Sequence, residues 1–140
     1  MGGRRRAVEQ FYEAFSAGDL DAATAMFGRG VRIVDPGMGA VEGLEALRGY
    51  LVALKEVVPD ARAVVERVFE VADVVIVEGR FTGTSANTAS SVGLGAGGRP
   101  VSRDVDLAFA DFAHVRDGQI VEYRTYYDQV SLRTQLGQLE

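Results

Sequence analysis

The chain has 140 residues, one domain's length, and with no cysteine and one histidine it offers no disulfide, thiol nucleophile or His/Cys metal site. Fifteen Lys and Arg against 20 Asp and Glu give a net charge of −5, and the one basic run, Arg4-Arg5-Arg6, reads as a solvated helix start, so no nucleic-acid partner is expected. No apolar run approaches the ~20 residues of a membrane span and no leader pattern opens the sequence, so the expectation is one cytoplasmic domain, 1–140, without membrane partner, metal or other cofactor.

Val8, Phe11, Tyr12 and Phe15 fall at helical spacing and predict a helix over 4–17, with Gly18 as its stop and Asp19 as the cap of the next. That second helix carries Leu20, Ala23, Met26 and Phe27 on one face, and Gly28 and Gly30 are expected to end it. Val31, Ile33 and Asp35 alternate as a short strand stopped by Pro36-Gly37. Leu44, Leu47, Leu51, Leu54 and Val58 then predict a third helix closed by Pro59. Two β-rich runs follow, 61–70 and 73–82, turned at Ala72-Asp73. The uncharged, glycine-rich segment 83–98 reads as a loop or flap over a pocket. A second hairpin, 100–116 and 119–129, turns at Asp117-Gly118. Helices first and a meander of strands after, with no βαβ alternation, predict an α+β domain whose helices cover one face of a curved antiparallel sheet.

Within the 100–116 run, Val105, Leu107, Phe109, Ala113 and Val115 share a core-facing side with Asp111. A carboxylate there is either paired, or desolvated with a raised pKa and suited to acid–base work. Asp35 shares a strand face with Val31 and Ile33; it is either a turn aspartate before Pro-Gly or points into the cavity mouth. Glu66 lies with Val64 and Val68, but Arg62 and Glu70 share that side, so a solvent-facing Glu66 competes with a buried one. In the final strand Val121, Tyr123, Thr125 and Tyr127 form an uncharged face suited to an organic-ligand pocket. The other face, with Glu122, Arg124 and Tyr126, suits solvent or a subunit contact, and His114 reads as an ordinary, partly exposed histidine. The formal G-x-G-x-x-G match at 93–98 is rejected as a dinucleotide site, because Arg99-Pro100 and a strand follow it instead of a helix.

The segments VEQFYEAFSAGDLDAATAMF, VRIVDPG, VVIVEGRFTGT and VRDGQIVEYRTYYDQVSLRTQLG resemble, in order and over nearly the whole chain, the SnoaL-like polyketide cyclases of the NTF2-like superfamily. The resemblance implies a cone-shaped α+β barrel, a bent sheet wrapped on helices around one deep apolar pocket, and a homodimer. It also implies a cofactor-free cyclase or isomerase acting on a polyketide-like intermediate of antibiotic biosynthesis. The aldol-type cyclases carry an aspartate five residues after the isoleucine of their DGKI segment; here that position is Thr125, and the family histidine nine residues before that isoleucine is Asp111. Polyether-type epoxide hydrolase/cyclases and pyran-forming relatives instead pair an aspartate at the end of the first strand with a second carboxylate. Asp35 resembles the first of these, and Glu66 or Asp111 the second. The implied catalytic set is therefore Asp35, Asp111 and Glu66, with Phe109, Tyr123, Thr125 and Tyr127 as substrate wall. Epoxide hydrolysis and non-catalytic binding of a small molecule are the alternatives.

Overall fold

A computed structural model describes residues 3–85 and 102–138. Its elements run α1 (Gly3–Ala17), α2 (Leu20–Thr24), β1 (Phe27–Asp35), β2 (Gly39–Glu42), α3 (Leu44–Val57), β3 (Arg62–Val71), β4 (Val74–Thr84), β5 (Asp104–Arg116), β6 (Gln119–Tyr127) and α4 (Gln129–Gln135). α1 ends as expected: Gly18 adopts φ +81°, its N–H donates to Phe15 and that of Asp19 to Ala14, a pairing that satisfies two helix-end carbonyls. Asp19 then caps α2 through the Ala22 N–H. α2 stops at Thr24, earlier than expected, because the glycines assigned to its end belong to a strand. Gly28 lies in β1 beside Gln119 and Val121 of β6.

One sheet holds all six strands in the order β2-β1-β6-β5-β4-β3. Every neighbouring pair is antiparallel except β1 and β6, which run parallel, a departure from the all-antiparallel expectation. The α+β architecture is a curved, unclosed sheet with helices packed on it, α1 against β3 to β6 and α3 against β1 and β2. The aromatic stripe of α1, with Val8, Phe11, Tyr12 and Phe15 buried, meets Phe27 of β1 and Tyr123 of β6, with Phe11 edge-on to both. Asp117 and Gly118, at φ +50° and +77°, turn the β5–β6 hairpin in the left-handed pair such tight turns require.

Two bulges alter the alternation read from the sequence. Between Val65 and Arg67 the β3–β4 register shifts, so Val65 and Val68 pack toward the core while Val64 is exposed. Between His114 and Val115 the β5–β6 register shifts, so Ile120 is buried and Val121 is not, the reverse of the expected side. Of the 83–98 segment, Gly83 and Thr84 close β4 and buried Ser85 exchanges hydrogen bonds with the Arg103 backbone; residues 86–98, on which the flap reading falls, lie outside the described residues. Among the described residues no helix is long and apolar enough to cross a membrane.

Candidate active site

Between the helices and the inner face of the sheet lies a cavity of about 180 Å³. Aromatic side chains from both layers shape it: Phe11, Tyr12 and Phe15 of α1, Tyr50 of α3, and Phe109, Tyr123 and Tyr127 of β5 and β6. Leu132 and Leu136 close one side from the C-terminal helix. Among the described residues its only charged lining group is Asp111.

Asp111 stands at the centre of β5, 2% exposed, opposite Thr125 of β6 and Val77 of β4. Its Oδ2 accepts hydrogen bonds from the Tyr12 hydroxyl at 2.6 Å and from the Tyr123 hydroxyl. Among the described residues Oδ1 accepts none. Burial pushes the Asp111 carboxyl up to about 6, the hydroxyls of Thr125, Tyr12 and Tyr123 pull against that, and the nearby Asp35 charge adds to it. Burial, and then the Asp111 charge, hold Tyr12 and Tyr123 well above the usual phenol range, so both remain hydrogen-bond donors at neutral pH.

Asp35, 4% exposed at the end of β1, sits behind the cavity wall. Its Oδ1 accepts from the N–H of Gly37 at 2.7 Å, the N–H of Met38 at 3.3 Å and the Tyr127 hydroxyl at 2.9 Å, and its Oδ2 from the Tyr50 hydroxyl at 2.7 Å. Asp35 is thus both the turn aspartate and a brace for two tyrosines of the wall. A Cβ at Gly37 would come within 3.2 Å of the Gln129 side-chain amide and make ordinary contact with Asp35 and Tyr127. Burial raises both Tyr50 and Tyr127 above the usual phenol range, with the Asp35 interaction acting in the same direction. Each carboxylate therefore holds two tyrosines, one from a helix and one from β6.

The structure places Asp111, Phe109, Tyr123, Thr125 and Tyr127 on the cavity, and Asp35 against its wall. Glu66 is the exception. It is the residue at the β3 bulge, exposed and away from the cavity, because the inserted residue turns outward from the ladder. Two groups were not singled out for the site: Tyr12, read only as a helix-face hydrophobe, and Tyr50, which follows Gly49 on α3 without a local cue. The spacing that marks a helix face is blind to a hydroxyl whose partner lies 99 residues away, as for Tyr12 and Asp111. Among the described residues no three His, Cys, Asp or Glu side chains group as a metal ion would require.

An α+β cone holding one apolar cavity with a buried carboxylate at its floor defines a class of small-molecule-binding folds. The SnoaL-like domain profile matches residues 8–123, and the chain belongs to that family. Its structure resembles that of a candidate SnoaL-like polyketide cyclase from Jannaschia sp. CCS1, with 25% identity, TM-score 0.81, and coverage of 99% of this chain and 94% of that one. IdmH, a candidate polyketide cyclase from Streptomyces antibioticus, shares the fold at TM-score 0.77 and 24% identity, covering 96% of this chain and 98% of its own. So does AclR, a candidate hydroxylase from Streptomyces galilaeus, at TM-score 0.78 and 18% identity, covering 99% and 83%. Among curated proteins none matches the chain.

Proposed function

We propose that the protein, acting as one unit over residues 1–140, is a cofactor-independent cyclase or isomerase of a neutral, polyketide-like small molecule, with Asp111 as its proton carrier. The observation that carries this reading is a carboxyl group buried in an aromatic cavity with both tyrosine donors on one of its oxygens, and that burial pushes it up to about 6. A carboxylate on an apolar strand face costs stability, and a pKa near the working pH is what a general acid or base requires. The tyrosines and phenylalanines hold a ligand in one shape, which lowers the entropic part of the barrier to ring closure. A cavity of about 180 Å³ is little larger than the ~150 Å³ that holds benzene. It suits one ring or a short folded segment, and the rest of a longer precursor must lie outside the enclosed volume.

Epoxide hydrolysis by paired carboxylates is served less well, since both oxygens of Asp35 are engaged by four donors. Asp35 instead fixes the wall. Neighbouring genes for a polyketide synthase would name the substrate series on which to test turnover. With such a precursor, Asp111→Asn should lower turnover by ~10²–10⁴-fold. The wild-type rate should follow one ionisation near 6, falling as pH rises if Asp111 gives the proton and rising if it takes one. Saturable binding without conversion, or full turnover in Asp111→Asn, would overturn the assignment.

The outer face of the sheet favours a second feature, a homodimer. Phe69, Ile76 and Phe112 lie side by side across β3, β4 and β5, and Tyr126 stands edge-on to Phe112. Phe69, Phe112 and Tyr126 are 48%, 36% and 46% exposed. Glu122 and Arg124 border the row with opposite charges, a pattern that a two-fold copy of the same surface can complement.

A further inference from the structure

We infer that Tyr12 and Tyr123 are positioning residues that assign the Asp111 proton to Oδ1, so that the floor of the cavity recognises a neutral oxygen acceptor on its ligand, such as a carbonyl, ether or epoxide oxygen. The inference rests on the reading of Asp111 as proton carrier. Its ground is an asymmetry between two oxygens of one side chain. Both tyrosine hydroxyls donate to Oδ2, which fills the two acceptor sites that oxygen offers. A proton on Oδ2 would have to displace one of them. Oδ1 is equally buried and, among the described residues, accepts no hydrogen bond.

The groups facing Asp111 come from every element packed around it. They are Tyr12 of α1, Tyr50 of α3, Asp35 of β1, Val77 of β4, and Tyr123 and Thr125 of β6. None of these is a cation, so nothing among them pairs with the ionised form except hydroxyl donors. The Thr125 hydroxyl interacts with the same carboxyl and, because it both donates and accepts, can turn aside from Oδ1. Oδ1 is enclosed, so a ligand oxygen meets its proton only once Thr125 has turned, and the atom that takes that place is an acceptor. Donation breaks the Oδ1–H bond and forms an O–H bond on the ligand. The electron pair stays on the carboxylate, whose charge the two tyrosines already hold at Oδ2, and a proton released by the ligand later in the cycle restores the acid. An anionic ligand oxygen would meet a like charge on ionised Asp111 and, against the protonated form, would give up its hydration in a cavity lined by no cation among the described residues.

Infrared difference spectra of the free protein between pH 4 and pH 8, with ¹³C-labelled aspartate, read the Asp111 acid directly. Carboxyl ¹³C NMR gives its titration in wild type, Tyr12→Phe and Tyr123→Phe. A proton on Oδ1 leaves Oδ2 as a carbonyl with two donors, so the wild-type C=O stretch should lie low and rise in each variant. Each lost donor should also raise the Asp111 pKa by about one unit or more. A wild-type stretch at the position of a free carbonyl would overturn the inference, and it is read without any variant. Unchanged titration in both folded variants would overturn it too. These readouts need no turnover. If they shift as expected while Asp111→Asn retains full activity, the proton assignment stands and the proton-carrier reading fails.

Discussion

Asp111 carries a free-energy cost that depends on pH, and its sign can be worked through. The folded carboxyl titrates near 6 and the unfolded one near 3.8, so over that window the folded state holds the proton more tightly. The contribution of Asp111 to stability is then full below about pH 4 and is lost as pH rises through about 6. At about 1.4 kcal/mol per unit the loss is about 3 kcal/mol. Asparagine keeps an oxygen for the two tyrosines and has no charge to bury. About a third of that is already lost at pH 4.5, so urea unfolding of wild type and Asp111→Asn at pH 4.5 and 7.5 should show the variant gaining about 2 kcal/mol relative to wild type at the higher pH. A gap independent of pH would mean that Asp111 is not desolvated as described. Alternation along β5 was enough to place this residue on the inner face. The tyrosines that grip the two buried aspartates were not legible as a set, because nothing local to Tyr12 or Tyr50 encodes a partner across the fold.

Strand faces were legible where the ladder is regular and failed at the bulges. In β5 burial alternates from Val105 to Val115 as the sequence implies, apart from Phe109 and Ala110, which are both half-buried, and the turn at Asp117-Gly118 fixes the hairpin. One extra residue in β3 and one in β6 invert the parity beyond them, and an inserted residue leaves no mark in a period-two pattern. The β3 bulge has a partner in Gly79 of β4. A Cβ there would run into the Val64 carbonyl and come within 2.8 Å of the Phe109 ring. Gly79→Ala must therefore move a backbone carbonyl or push Phe109 into the cavity. We expect it to lower stability by about 1–3 kcal/mol, the range of overpacked cores, and to weaken ligand binding more than Asp111→Asn does. Thermal unfolding and ligand titration on the same variant would check both, and a wild-type Tm would contradict the crowding.

For the molecule as a whole, the outer apolar row makes self-association a measurable expectation. Light scattering should give a mass near 30 kDa, twice the 15.0 kDa of one chain, and Phe112→Glu should return it to one chain without unfolding it. A wild-type monomer at high concentration would remove the dimer and leave the cavity untouched. Helices before strands, and the hairpins of the second half, were readable from spacing and turn residues. The junction of β1 with β6 was not, since a parallel neighbour announces itself by no turn and no local motif. That junction, with Ile33 opposite Tyr123, also orders events during synthesis. Until residues beyond 120 have left the ribosome, β1 has only the short β2 to pair with, and the stripe of α1 has no Tyr123 to rest on. A nascent chain halted before β6 would show its aromatic interior to chaperones and proteases, and the cavity would come into being only with the final strand of the sheet.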